Sequence, residues 1–307
     1  MFVIIHHCSM PFLIVLGSEW VLDLYCIIMP FTMAAFTMIS GFFFKEKPIK
    51  ERINTYLVPL IIFSIVNLVL QHLSLVPYIR DRSSSQLGYA MWYLYVLFIY
   101  TILTQILVKK VSVKAILATT VVITLLICNL KIFSVNNVQF SRLVSHYPFF
   151  LMGILMREHN WLSLRKYSIT KYVSFFIFVS VLLLNLYLCK LIGTGHFLPA
   201  FTTPVPYYVE LYGLIICSLT GFCVLLFAPN TDCFITKLGR RTMTPYVLHM
   251  CLVFPICWNI GLPALWTKFG IVLYMMIVPS LCLFLYSEFA TKKLNQFLDL
   301  FRIKSKI

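Results

Sequence analysis

Charge is what this chain has least of. Asp, Glu, Lys and Arg together make up 11% of its 307 residues, against about 25% in an ordinary soluble domain. Only 10 residues are acidic. Cysteines at zinc spacing are missing too: no Cys-x-x-Cys pair and no Cys/His cluster occurs, so no metal is expected. Polar stretches between the apolar runs reach only about fifteen residues, which leaves no room for a soluble domain. No segment shows the alternating ten-residue pattern of a membrane barrel. The net charge of +15 is spread over short clusters rather than a basic stripe interleaved with aromatics, which excludes nucleic acid as a partner.

What is present is apolar. Hydrophobic residues make up 61% of the chain and the mean hydropathy is +0.91, so lipid must be the solvent for most of it. Cys26, Cys128, Cys217, Cys223, Cys251, Cys257 and Cys282 fall inside apolar runs and read as small hydrophobes between helices. A span needs about 20 apolar residues. Ten such runs can be marked, roughly 1–17, 20–44, 54–75, 88–108, 113–131, 145–156, 172–192, 206–228, 243–261 and 269–290; the first and sixth are the shortest. The basic residues then sort by side. Loops 45–52, 109–114, 157–171, 237–241 and the tail from 292 hold 19 of the 25 Lys and Arg, and the opposite side holds 6. The expected architecture is therefore all-α, a polytopic helical bundle of about ten transmembrane helices with both termini cytoplasmic.

An ionisable side chain inside a span costs roughly 2.5–3.5 kcal/mol on insertion scales, so each one needs a reason. The pair His6-His7 in the first run and His249 in the ninth can take and return a proton near neutral pH, as hydroxyl acylation requires, or they can be packed rings bonded to a neighbouring helix. Arg52 stands just inside the third run, where it either anchors the interface or grips phosphate. Glu210, near the outer end of the eighth run, reads as an interfacial group. Glu19 and Asp23 open the second run, where the helix dipole favours acids. Trp92, Tyr93 and Tyr95 read as an aromatic belt. No serine stands at recognisable spacing from a partner base, so a covalent acyl-enzyme is not indicated.

Five segments, in order, resemble the bacterial acyltransferase-3 family of membrane O-acyltransferases, particularly its fucose 4-O-acetylase-like branch. They are Phe2-Val3-Ile4-Ile5-His6-His7; Met29-Pro30-Phe31 with Ile39-Ser40-Gly41-Phe42-Phe43-Phe44; Arg52 seven residues before Pro59; Trp92-Tyr93-Leu94; and the run 239–249, which ends Thr244-Pro245-Tyr246-Val247-Leu248-His249. The chain departs from the family's pattern in two places. The Asp and Arg usually found before the first histidine are absent, which implies a start truncated relative to the family. Thr55 stands where a second arginine follows Arg52 in the family.

The resemblance implies one acyltransferase-3-like transmembrane domain over 1–307 in the bacterial cytoplasmic membrane. It implies transfer of acetyl from acetyl-CoA to a sugar hydroxyl of a cell-envelope or exported polysaccharide. The expected catalytic residues are His7, His6 and His249, with His7 as general base. The expected donor-binding residues are Arg52, Lys50 and Arg240. The expected partners are acyl-CoA, a glycan or lipid-linked glycan acceptor, and membrane lipid. Competing readings are a transporter or flippase of an envelope glycan or lipid, and a catalytically impaired relative that binds a biosynthetic partner.

Overall fold

A computed structural model describes residues 19–73, 91–128, 138–192, 206–228, 241–249 and 267–303, with positions 231, 233, 234, 237 and 251. Every element among them is helical. Helix α1 is Glu19–Phe42. Helix α2 opens as Ile49–Arg52, widens into a π turn over Ile53–Leu57 and continues as Val58–His72. Then come α3 (Trp92–Leu107), α4 (Val113–Ile127) and α5 (Val138–Glu158). After a 3₁₀ segment over Trp161–Lys166 follow α6 (Ser168–Ile192) and α7 (Tyr207–Phe227). Helices α8 (Met243–Leu248), α9 (Lys268–Leu285) and α10 (Glu288–Asp299) complete the described chain.

Of the boundaries that differ from the sequence expectation, two have a clear cause. The short sixth run, 145–156, is the second half of α5, which starts seven residues earlier at Val138. Its first two turns carry Ser141, Arg142 and Ser145, which mask the helix in a hydropathy reading. The tenth run does not continue to 290: it stops at Leu285, and α10 leaves it at 59°. Ser287 explains the stop, since its hydroxyl accepts from the Ala290 N–H and starts a new helix. By length and composition α2, α6 and α7 are long and apolar enough to cross a membrane, and the bent α9–α10 pair would make a fourth. Helices α3 and α4, of 16 and 15 residues, are apolar but only about 24 Å long or less.

The chain divides into two compact units. One contains α2, the start of α3 and α8–α10. Its core joins Leu60 and Phe63 of α2, Met91 and Leu94 around the start of α3, Val247 and Cys251, and Leu294 and Leu298 of α10. The other contains most of α1, the rest of α3 and α4–α7. There α1, α5 and α7 meet around Ala34, Met38, Phe149, Leu214 and Cys217.

The Ser40-Gly41-Phe42 segment has a packing reason in this second unit. A methyl group on Gly41 would lie 1.8 Å from the Phe150 carbonyl oxygen, and one on Gly153 would lie 2.0 Å from that of Met38. Backbone therefore meets backbone, which only glycine permits. The contact is extended by polar bonds: Thr220 Oγ1 donates to the Pro30 carbonyl (3.2 Å), and Asn185 Nδ2 to that of Cys26 (2.7 Å). Asp23, expected only to favour the helix dipole, also pairs with Lys190 at 2.9 Å. Cys26, Cys128, Cys217, Cys223, Cys251 and Cys282 are buried thiols, in keeping with their apolar setting. Cys257 lies outside the described residues.

Candidate active site

Arg52 is placed by the start of α2. Pro48 at the cap fixes the entry, the single turn Ile49–Arg52 follows, and Arg52 is 3% exposed while Lys50 is half-buried. The π turn that comes next has a local cause. Pro59 has no N–H to offer and its ring crowds the carbonyl four residues back. Here the Val58 N–H bonds the Ile53 carbonyl, five residues back, and the widened turn relieves that crowding. Tyr56, one turn on from Arg52, stays within electrostatic reach of it and packs on the unit's core. Thr55, in the place of the family's second arginine, is exposed and donates back to the Glu51 carbonyl (2.7 Å). The departure from the pattern thus falls at an exposed position, while the cation three residues earlier is buried.

His249 follows α8 and is 2% exposed, so its ring faces protein rather than lipid. Its Nδ1 lies 2.6 Å from the Tyr246 carbonyl and 3.1 Å from the Pro245 carbonyl. Carbonyls only accept, so Nδ1 carries the proton and the neutral ring keeps its lone pair on Nε2, the tautomer a general base needs. The Pro245 carbonyl, four residues back on the same helix face, also accepts the His249 backbone N–H.

Tyr246 ties this segment to α3. Its hydroxyl accepts from the Tyr93 backbone N–H (3.1 Å), and the two rings meet edge to face at 5.5 Å. The Tyr93 N–H lies in the first turn of α3, where an N–H has no intrahelical acceptor, so Tyr246 acts there as a cap. Three of the family-like segments, at Arg52, at Trp92-Tyr93-Leu94 and at 239–249, therefore meet in one compact unit. The expected catalytic pair His6-His7 and the expected donor residue Arg240 lie outside the described residues, as does any approach of His249 to that pair.

The acyltransferase-3 profile, described as an acyltransferase domain, matches residues 1–287. This chain belongs to the acyltransferase-3 family. It is an acyltransferase and an integral membrane protein, and the matched region runs through both compact units. No curated protein and no solved structure matches it.

Two features of this acyltransferase were not anticipated. Asn54 clamps the segment after α10: its Nδ2 donates to the Ile303 carbonyl (2.9 Å) while its Oδ1 accepts from the Ile303 N–H (2.8 Å). A pairing across 249 residues has no local signature in the sequence. Glu210, expected to reach the interface, is instead 4% exposed within the second unit. Among the described residues its Oε1 has no hydrogen-bond partner, nor has the Ser145 hydroxyl that approaches the carboxyl without closing a bond.

Proposed function

We propose that this enzyme transfers acetyl from acetyl-CoA to a sugar hydroxyl of a cell-envelope or exported polysaccharide, as the resemblance to the fucose 4-O-acetylase-like branch suggests. The observation that carries the reading is a buried arginine in the same compact unit as a buried histidine whose Nδ1 is committed to backbone carbonyls. The hydroxyl oxygen attacks the thioester carbon, a C–O bond forms, and the C–S bond breaks. The hydroxyl proton passes to a histidine and from there to the departing thiolate, so the ring ends as it began. His7, with His6 beside it, is the proposed base, and His249 supports the proton transfer. Arg52, with Lys50 and Arg240, holds the phosphates of coenzyme A, where a planar fork suits phosphate better than an ammonium.

The proposed setting is ten spans in the bacterial cytoplasmic membrane with both termini cytoplasmic. Reporter tags at residues 48 and 162 should then read cytoplasmic, and tags at 83 and 197 external. The direct test is glycan ester content. A deletion strain should lose alkali-labile acetyl from an envelope glycan, and the purified enzyme in vesicles should restore it with labelled acetyl-CoA. An unchanged ester content, or a purified enzyme that consumes no acetyl-CoA with any envelope glycan fraction, would remove the reading.

A further inference from the structure

Helix α10 begins where the family match ends, at residue 287, and nothing assigned so far explains its composition. Its twelve residues are about 18 Å long and cannot cross a bilayer of about 30 Å. They arrange in three stripes. Ala290, Leu294 and Leu298 are buried, the last two in the core shared with α2. Glu288, Lys292, Asn295 and Asp299 form a second, exposed polar stripe. The third stripe is apolar and uncovered: Phe289 is 61% exposed and Phe297 41%, followed by Leu300 at 77% and Phe301 at 52%. These rings run on from α9, with Phe284–Phe289 at 6.3 Å and Phe297–Phe301 at 5.4 Å. Lys293 stands between Phe289 and Phe297 and reaches over the Phe289 ring (5.8 Å).

We propose that α10 lies along the membrane–water interface and binds anionic phospholipid headgroups. Anionic lipid offers both halves of the match, acyl chains for the rings and phosphate for the lysines. The rings enter the acyl boundary while Lys292 and Lys293 meet phosphate, the arrangement of an interfacial amphipathic helix. From 292 onward the sequence holds five basic residues, Lys292, Lys293, Arg302, Lys304 and Lys306, and one acid, Asp299. The 59° bend after α9 supplies the change of direction that such a helix needs. The helix and its flanks are also tied to the candidate active site. Arg241 pairs with Glu288 and donates to the Tyr286 carbonyl (3.4 Å), Thr244 donates to Thr291 (3.1 Å), and Asn54 clamps Ile303. The proposal does not depend on which acyl donor or acceptor the enzyme uses.

The test places the photoprobe p-benzoylphenylalanine at position 289, 297 or 295 of the full chain. The protein is reconstituted in vesicles of equal phosphatidylcholine and phosphatidylglycerol, and adducts are read by mass spectrometry. Probes at 289 and 297 should capture lipid, and the probe at 295 should capture little. Phosphatidylglycerol adducts should exceed phosphatidylcholine adducts, by up to about fivefold per lysine engaged. The double variant Lys292→Gln, Lys293→Gln should lower that ratio severalfold toward the bulk value; both side chains are exposed, so the fold should tolerate it. Cross-links from 289 and 297 to a second copy or another protein would overturn the proposal. So would equal lipid capture at 295, or a ratio unaffected by the double variant.

Discussion

Substituting Gly153 by alanine probes a backbone-to-backbone contact between α1 and α5. The added methyl would sit 2.0 Å from the Met38 carbonyl oxygen and 2.7 Å from the Phe42 backbone nitrogen. Ordinary contact begins near 3.4 Å, so α1 and α5 must separate by roughly 1.4 Å along that line, or both must bend. Neither obstacle is a side chain that can swing away. Overpacking a fitted core costs about 1–3 kcal/mol, and a backbone contact belongs at the upper end. For the variant, the thermal unfolding midpoint in detergent, followed by the amount surviving size exclusion after heating, should fall by at least about 5 °C. Gly41→Ala touches the same helix pair through the Phe150 carbonyl and should cost a similar amount. Because one separation relieves both clashes, the double variant should cost less than the sum of the two. Gly221→Ala serves as the control: its nearest neighbour is the Met38 Sδ, at 2.9 Å, which is flexible. A midpoint unchanged in Gly153→Ala, or lowered as much in Gly221→Ala, would refute the account of α1–α5 packing.

Other perturbations address the chemistry. His249→Asn can keep a donor near the Tyr246 carbonyl but has nothing in place of Nε2; membrane abundance should hold while acyl transfer drops at least about tenfold, and full activity would reduce His249 to a packing residue. His7→Ala should abolish transfer without lowering abundance and His6→Ala should be milder; equal full activity in both would end general-base catalysis at that pair. Arg52→Ala should raise the apparent KM for acyl-CoA about tenfold or more, with Arg52→Lys intermediate, whereas an unchanged donor KM in an unstable protein would leave Arg52 an interfacial anchor. Glu210→Met removes a buried oxygen that has no partner, so the unfolding midpoint should rise by a few degrees, following the roughly 1–3 kcal/mol such a group costs; a fall would mean that the carboxyl is satisfied by a ligand or water.

Composition alone determined that the chain is helical and lives in lipid, because no soluble core could bury so large an apolar share. The positions of α1, α2, α6 and α7 were legible for the same reason: each is a long apolar run bounded by charge or proline. Arg52 and His249 also stood out in the sequence, since an ionisable group in an apolar run is costly whatever surrounds it. Four other features depended on neighbours far away in the chain and left no local signal. Helix α5 starts at Val138 because its polar first turns are sheltered by other helices. Glycine at 41 and 153 answers to carbonyls on the opposing helix. Asn54 has its role only because the segment after α10 returns to it. Ser287 caps α10 locally, but the direction α10 takes depends on Leu294 and Leu298 packing in the core shared with α2. Hydropathy counts how much apolar surface a segment carries; which neighbour covers that surface is settled only when the helices pack.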